Sequence, residues 1–383
     1  MMTRIQKVKN LTDLPKPCDY FHLMAGKSTG GFIVILLSRL KMTTKEAIDL
    51  YYELSSRIFS RKNKRTWWGR LLGLHEFDPK ALEEIIKELV DSRGIGGLML
   101  DDDTSHLPKA FVCSQNAYDQ GVPVRFRTYE PPSAREVIPG GLSRTHHISL
   151  PSSTPLLSSS SVGMSMIGIP EEGGVESTSP VPDDLWDEYR DIRIWEAARA
   201  TTAAPSYFPP MSIVRGNETR TFIDGAMGCN NPSFELVHEA IALYGPRRVL
   251  GCLISLGTGS SGPLTIGTRK GLRGFRDLLT NIKRLATDSE SVHRGLQSQM
   301  RPVLNTYFRF QLPNGTENIK LHHYEKLDEL SKLTEAYIKN KSSEIDKVVS
   351  ILVGNARPRG ISLGQIGKFL KSHYLIANLL HLS

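Results

Sequence analysis

FHLMAGKSTGG, residues Phe21–Gly31, is the stretch of this chain that decides its fold. Apolar residues dominate positions 20–25, which predicts a short buried strand, and the apolar run at 32–40 is long enough for a buried helix. Between them lies the spacing Gly-x-Ser-x-Gly, which exposes the serine hydroxyl when it stands at a strand-to-helix turn. Ser28 is therefore a candidate nucleophile.

The neighbours of Ser28 supply the other parts of such an elbow. We expect any side chain at Gly26 or Gly30 to clash there, because the turn brings backbone segments close together. The backbone N–H of Thr29 would point at the oxyanion that forms when a serine attacks an acyl carbonyl. The alternative is an inert glycine-rich turn between two core elements.

The same residues also end like a phosphate-binding loop of the type Gly-x-x-x-x-Gly-Lys-Ser/Thr. Such a loop needs a glycine where this chain has Phe21, and it needs free N–H groups turned toward an anion. In an apolar strand over 21–25 those groups would be paired within a sheet. The sequence therefore disfavours a nucleotide-binding site.

Size, charge and cysteine content narrow the class of protein. With 383 residues the chain can bury a large α/β core. Its net charge of +8 favours contact with anionic surfaces, but no nucleic-acid-binding motif accompanies the charge, so we expect no nucleic acid partner. The cysteines are far apart and are predicted to be reduced thiols, not metal ligands. They are Cys18, Cys113, Cys229 and Cys252.

No targeting or membrane-spanning segment is evident in the sequence. The stretch Met1–Asn10 lacks the apolar run of a signal peptide. No segment approaches the ~18 consecutive apolar residues of a membrane span. We therefore expect a cytoplasmic protein that is at most peripheral on membranes.

Strand patterns alternate with helix patterns along the chain. The strand patterns lie at 110–114, 122–128 and 248–256. The helix patterns begin at Thr43, with a capping box to Glu46, at Asp78-Pro79 and at Asn231-Pro232. This alternation predicts an α/β fold with a largely parallel sheet covered on both faces.

Two segments depart from this pattern. Residues 131–184 are rich in Ser, Pro and Gly and lack periodicity, which predicts a disordered surface insertion in a domain over 1–340. Residues 341–383 are predicted to form a helical tail. From Ile361 onward its apolar spacing is typical of an amphipathic helix that docks on the core or on a membrane.

Basic residues surround the pair Trp67-Trp68 and suggest a membrane contact. They are Arg61, Lys62, Lys64 and Arg65. Cationic side chains can meet lipid phosphates while indole rings enter the headgroup layer. The alternative is a solvated loop with one tryptophan in the core.

A candidate base follows a later strand. Asp224 ends the short segment 221–224 and precedes Gly225 and Ala226, where the glycine lets the chain turn sharply. An ionised aspartate within hydrogen-bond distance of a serine hydroxyl can take its proton directly. The alternative is an ordinary turn aspartate.

A Ser-His-Asp triad is the rival arrangement. It would use one of the later histidines, namely His238, His293, His322, His323, His373 or His381. None of them lies in a distinguishing motif. The sequence therefore favours direct activation by Asp224 and leaves the triad as an alternative.

Several motifs in order resemble patatin-like phospholipases, in particular the fungal ones. They are the elbow at 20–31, the run Ile194–Pro205, the segment Phe222–Pro232 and the run Ile254–Gly259. The resemblance implies a three-layer α/β/α fold with a mostly parallel central sheet. It also implies hydrolysis of acyl esters of membrane lipids such as phospholipids by a Ser–Asp dyad, without histidine, metal or other cofactor. It makes Ser28 the nucleophile and Asp224 the base, with Gly26, Gly30, Gly31, Gly225 and Ala226 as motif residues.

The chain departs from the family pattern in two places. Met1–Pro17 contains no glycine, so the family's glycine-rich loop, which supplies oxyanion-hole amides ahead of the elbow, is expected to be missing. Lys27 stands where the family usually has a small polar residue. A second hypothesis is therefore a catalytically inactive lipid-binding or effector module with the same fold.

Overall fold

A mixed sheet with helices on its two faces forms the centre of the computed structural model. The structure describes residues 1–64, 75–100, 108–118, 123–131, 189–205, 207–227, 231–259, 289–300, 306–313, 315–316, 319–356 and 360–368. The helices within these ranges are α1 Met2–Lys9, α2 Ser28–Leu37, α3 Thr44–Ile58, α4 Lys80–Ser92, α5 Ile194–Thr201, α6 Ser233–Tyr244, α7 Ser289–Met300, α8 Leu327–Asn340 and α9 Ser342–Leu352. The strands are β1 Leu23–Lys27, β2 Lys109–Asn116, β3 Val124–Arg127, β4 Met211–Arg215, β5 Glu218–Asp224, β6 Leu253–Leu256 and β7 Tyr307–Phe310.

The sheet is mixed where the sequence predicts a largely parallel one. β1 runs parallel to β2, and β6 forms a separate parallel pair with β7. β3 and β5 run antiparallel to β2, and β4 runs antiparallel to β5. The reason is a hairpin: β4 and β5 are joined across Gly216, whose φ of 57° suits a tight turn, and a turn this short can only connect antiparallel strands.

The predicted three-layer α/β/α arrangement is confirmed. On one face of the sheet, side chains of α2, α3, α4 and α5 pack on Val112, Phe126 and Phe222 in the main hydrophobic core. On the other face, Leu236 of α6 packs against Phe111 and Cys113. The alternating side chains of β2 therefore face two different helical layers.

Buried ion pairs fix α6 to β3. Arg127 Nε donates to Glu239 Oε1 at 2.6 Å, and Arg125 Nη1 lies 3.3 Å from Glu239 Oε2. The Tyr129 hydroxyl donates to the same carboxylate at 2.8 Å. Burial alone would raise the pKa of Glu239, but the hydrogen bonds and charges of the two arginines outweigh it and lower that pKa. α6 follows the Asp224 turn in the chain, so this network anchors the downstream side of the candidate site.

The start of α3 and the cysteines test two local predictions. The capping box of Thr43 and Glu46 is confirmed at the start of α3. Cys18, Cys113 and Cys252 are free thiols, and Cys229 lies outside the described residues.

The C-terminal part of the described chain packs against its beginning. Ile345 and Val348 of α9 share a hydrophobic cluster with Ile5 of α1. Residues 363–368 are helical, and the tail beyond 368 lies outside the described residues. The predicted insertion at 131–184 also lies outside them, apart from Pro131.

Candidate active site

The pairing of β2 brings two distant strand ends together. β1 pairs with Lys109–Cys113 of β2, and β3 pairs with Phe111–Ser114, so β1 and β3 must lie on opposite edges. β5 pairs with Ser114–Asn116, and Ser114 also faces β3, which places β5 on the same edge as β1. β1 and β5 therefore meet end to end along one edge of β2.

Ser28 and Asp224 lie at this meeting point. β1 ends at Lys27 opposite Cys113, and β5 ends at Asp224 opposite Ser114. The Ser28 hydroxyl donates a hydrogen bond to Asp224 Oδ2 at 2.6 Å. The two candidate residues, 196 positions apart in sequence, are thus in direct contact.

The backbone of Ser28 adopts the geometry expected of a nucleophile elbow. Its φ is 51°, in the left-handed region that residues with a side chain rarely adopt. α2 begins at this residue, so the strand-to-helix turn is made in a single step. Such strain persists only where the surroundings hold it, and it is typical of functional sites.

Two of the motif glycines permit close backbone contacts. A Cβ built at Gly26 would lie 2.3 Å from the carbonyl oxygen of Gly30. A Cβ built at Gly225 would lie 2.3 Å from the carbonyl oxygen of Cys113. Both distances are far inside van der Waals contact, so these positions require glycine.

The prediction of a clash at Gly30 is wrong, and the tight position is the next one. A Cβ at Gly30 meets no atom of the described residues within 4 Å. At Gly31 a Cβ would lie 2.7 Å from Thr201 Oγ1. The physical reason is that Gly31 faces α5 across the elbow, whereas the described residues leave space for a Cβ at Gly30.

Asp224 is buried and held in one orientation. Asp224 is only 2% exposed to solvent, and its Oδ1 accepts a hydrogen bond from the Ala226 N–H at 2.7 Å. Burial raises the pKa of Asp224, while the hydrogen bonds from Ser28 and Ala226 and the charge of Lys27 partly oppose that rise. A raised pKa makes the carboxylate a stronger base than an exposed aspartate.

We expect this pKa to set the acid limb of any Asp224-dependent activity. Activity needs the carboxylate, so kcat/KM should fall as the pH drops through the Asp224 pKa, with a midpoint above the ~3.9 of a free aspartate. Replacing Lys27→Met removes a charge that lowers this pKa, so the midpoint should move to higher pH. The measurement is kcat/KM against pH for both proteins.

Lys45→Met is the matched control for this change. Lys45 is an exposed lysine of α3 that pairs with Asp49 at 3.1 Å, so its loss removes the same formal charge without the same neighbour. Its acid limb should coincide with that of the wild type. Equal midpoints for Lys27→Met and wild type would contradict the assignment of the limb to Asp224.

Thr29 and an apolar cleft adjoin the nucleophile. Ser28 and Thr29 are among the residues that line the cleft, and Thr29 lies in the first turn of α2, where backbone N–H groups have no partner within the helix. The rest of the lining is mainly apolar and includes Phe32, Leu54, Ile58, Phe59, Leu82, Phe208 and Leu321. The cavity itself measures only about 50 Å³.

Tyr51 is a polar residue of this cleft that the sequence does not single out. Burial raises the pKa of its hydroxyl, and the side chains of Ser55 and Thr29, which interact with it, partly oppose the rise. The predicted helix after Thr43 carries apolar residues at helical spacing, and within that pattern a tyrosine is indistinguishable from core. Only the packing of α3 against α2 shows that Tyr51 reaches the elbow.

The histidine alternative finds no support at the cleft. The described residues that line it include no histidine. His293 Nδ1 lies 3.0 Å from the Tyr307 hydroxyl, and His322 packs against the rings of Phe77 and Tyr207. His373 and His381 lie outside the described residues.

The proposed membrane cluster is described only in part. Trp67, Trp68 and Arg65 lie outside the described residues, as does the side chain of Arg61. Lys62 is exposed, and Lys64 Nζ lies 2.8 Å from Glu76 Oε1. The membrane contact therefore stays a prediction.

The described ranges contain neither a membrane-spanning helix nor a cluster of metal-ligating side chains. No helix in them is both long and apolar enough to cross a membrane. They also contain no group of three or more His, Cys, Asp or Glu side chains arranged to hold a metal ion.

The sequence matches a family model and several known proteins. The family model of patatin-like phospholipases matches residues 7–237. Calcium-independent phospholipase A2-gamma of Oryctolagus cuniculus is 28% identical over 354 residues, and its Homo sapiens counterpart is 27% identical; each alignment covers 91% of this chain and 37% of the relative. Phospholipase A I of Arabidopsis thaliana is 26% identical over 324 residues, which are 76% of this chain and 22% of that protein. The chain thus spans well under half of these relatives. Because the family match covers more than half of its residues, this chain belongs to the patatin-like phospholipase family.

Proposed function

We propose that this chain hydrolyses acyl esters of phospholipids, with Ser28 as nucleophile and Asp224 as general base. The observation that carries the proposal is the 2.6 Å hydrogen bond from the Ser28 hydroxyl to Asp224 Oδ2. A general base must lie within such a distance of the proton that it removes. Membership of the family and the phospholipase names of the relatives supply the substrate class.

Acylation begins with transfer of the Ser28 proton to Asp224. The Ser28 oxygen attacks the ester carbonyl, and the resulting oxyanion accepts a hydrogen bond from the Thr29 N–H. The C–O bond to the glycerol then breaks, and Asp224 gives its proton to the leaving alkoxide. The products of this half are a lysophospholipid and an acyl ester of Ser28.

Deacylation repeats these steps with water. Asp224, again a carboxylate, takes a proton from a water molecule that attacks the acyl ester. Collapse of the tetrahedral intermediate returns the proton to Ser28 and releases a free fatty acid. One carboxylate therefore serves as base and acid in turn, and no other titratable group is needed.

The apolar cleft beside Ser28 is the proposed site of the acyl chain. Most of the side chains that line it, among them Phe32, Leu54, Ile58 and Phe208, are apolar and suit a hydrocarbon chain. A cavity of about 50 Å³ has room for only a few water molecules, since one needs ~10–15 Å³ of such space, and it is far smaller than an acyl chain. An acyl chain must therefore displace lining side chains, and Leu321, which is 37% exposed, is the lining side chain least enclosed by its neighbours.

The test is release of fatty acid from phospholipid vesicles. The purified chain is incubated with phosphatidylcholine vesicles with and without EDTA, and fatty acid and lysophospholipid are measured by mass spectrometry. We expect equal amounts of both products, insensitivity to EDTA because Asp224 removes the proton directly, and no release by Ser28→Ala. Binding to vesicles without any release by the wild type would favour the inactive lipid-binding module instead.

A further inference from the structure

The run Ile194–Pro205, which resembles a family motif, packs directly against the elements that carry the candidate site. It forms α5 and the segment that leaves it, between the elbow helix α2 and the strands β2 and β5. Its end, residues 200–203, contacts the backbone around both proposed catalytic residues. This segment therefore lies where the relative position of nucleophile and base is determined.

Thr201 connects the elbow to the central strand. The backbone N–H of Ser28 donates to Thr201 Oγ1 at 3.0 Å, and that hydroxyl donates in turn to the carbonyl oxygen of Cys113 at 2.6 Å. Thr201 is fully buried. Because the hydroxyl proton is committed to Cys113, the oxygen lone pairs face the Ser28 N–H.

The same segment also holds the base. The backbone N–H of Asp224 donates to the carbonyl oxygen of Ala203 at 3.1 Å. The Ser114 hydroxyl lies within hydrogen-bond distance of the carbonyl oxygens of Ala200, at 3.2 Å, and Ile223, at 2.8 Å. The backbone N–H groups of Ser28 and Asp224 thus both donate to the short segment 201–203.

The left-handed conformation of Ser28 needs such support. With φ at 51° its N–H turns toward α5 and away from the helix that begins there, and without an acceptor this donor would be unsatisfied. The close fit at Gly31, where a Cβ would lie 2.7 Å from Thr201 Oγ1, keeps the hydroxyl against the elbow.

We infer that Thr201 is a positioning residue, which acts by holding the Ser28 backbone so that its hydroxyl faces Asp224 and the ester carbonyl. This inference rests on the proposed function for its kinetic consequence. The structural consequence, protection of the Ser28 amide from hydrogen exchange, is independent of the proposed function. Thr201 is not expected to contact the acyl chain of the substrate.

The test compares Thr201→Val with Thr201→Ser. Valine keeps the shape and removes the acceptor, so kcat should fall by about 10²-fold with little change in KM, as for a nucleophile displaced by a fraction of an ångström. Serine restores the hydroxyl, and its kcat should return to within about threefold of wild type. Hydrogen exchange of the Ser28 amide should be slow in wild type and Thr201→Ser and fast in Thr201→Val.

Thr128→Val is the matched control. The Thr128 hydroxyl also accepts a backbone N–H, that of Ala110, at 3.0 Å in a buried part of the same sheet. Its loss should lower stability comparably but leave kcat unchanged. A merely structural role for Thr201 predicts that both valine variants lose activity only as they lose folded protein.

The outcomes separate the two proposals. Unchanged kcat and unchanged amide exchange in Thr201→Val, or a Thr201→Ser variant as impaired as Thr201→Val, would overturn the positioning role. If amide exchange responds as expected while Ser28→Ala is as active as wild type, Thr201 holds the Ser28 backbone as inferred, but the proposed catalytic function fails and the kinetic consequence fails with it.

Discussion

Replacing Asp224→Asn is expected to lower kcat/KM toward a phospholipid ester by about 10⁴-fold, a loss typical of active sites that can no longer transfer the proton of the nucleophile. Asparagine has nearly the same shape, and its carbonyl oxygen can still accept the Ala226 N–H. It cannot take a proton from the Ser28 hydroxyl, so the nucleophile stays unactivated. The measurement is fatty acid release at saturating and subsaturating substrate, with the thermal unfolding midpoint of each protein.

The stability of this variant should move the opposite way from its activity. Burial raises the Asp224 pKa in the folded protein, so above that pKa the ionised carboxylate disfavours the folded state. Asparagine removes this cost, and we expect an unfolding midpoint equal to or above that of wild type near neutral pH. An inactive variant that is also less stable would point to misfolding as the cause.

Two comparisons complete this prediction. Asp191→Asn, at an exposed aspartate that pairs with Arg215 at 2.9 Å, should leave kcat/KM unchanged. The double variant with Ser28→Ala should be no less active than either single variant, because residues that act as a unit do not contribute additively. Appreciable turnover by Asp224→Asn would transfer the base role to another group.

Alanine substitutions at Gly26 and Gly30, the two glycines of the Gly-x-Ser-x-Gly motif, should change the free energy of unfolding in opposite directions. At Gly26 the new Cβ lies 2.3 Å from the Gly30 carbonyl oxygen, which is backbone and cannot rotate away. We expect a loss of about 1–3 kcal/mol in the free energy of unfolding, as for other overpacked sites, and a loss of at least about 10²-fold in kcat. Denaturant unfolding and steady-state kinetics measure the two effects.

Gly30→Ala is the control from the same motif. The position is inside α2, and its Cβ meets no described atom within 4 Å, so alanine should raise the free energy of unfolding by about 0.5–1 kcal/mol through helix propensity. Similar destabilisation by both substitutions would mean that the signature requires glycine as a unit, as the sequence suggests. It would contradict the backbone geometry described for the elbow.

Local patterns were sufficient to predict the strand-to-helix elbow at Ser28, whose role as nucleophile stays a prediction. The change from an apolar strand to an apolar helix around Ser28 is a property of adjacent residues, and the strand β1 and helix α2 are found there. The capping box at Thr43 is equally local, because Glu46 lies one turn away. The position of Asp224 at a strand end before a glycine made it a candidate base, but the isolated Asp-Gly-Ala sequence is a weak signal, and the family resemblance was needed to favour it.

Long-range contacts account for what sequence reasoning missed. Thr201 contacts Ser28 across 173 positions. The packing of α5 on β2 brings them together, because the Thr201 hydroxyl reaches the carbonyl oxygen of Cys113, which pairs with Lys27 next to Ser28. A long-range contact also explains why the tight position is Gly31 and not Gly30, because the residue that a Cβ at Gly31 would clash with, Thr201, belongs to α5. The hairpin of β4 and β5 could have been predicted from the sequence, because Gly216-Asn217 is a turn signal between the two strands.

Covalent labelling of the folded wild-type chain with a long-chain alkyl fluorophosphonate, followed by peptide mass mapping, tests most directly whether Ser28 is the nucleophile. The account predicts one label per chain, located on Ser28, absent from Ser28→Ala and formed far more slowly in Asp224→Asn. A label on another residue, or a folded wild-type chain that acquires none, would contradict it.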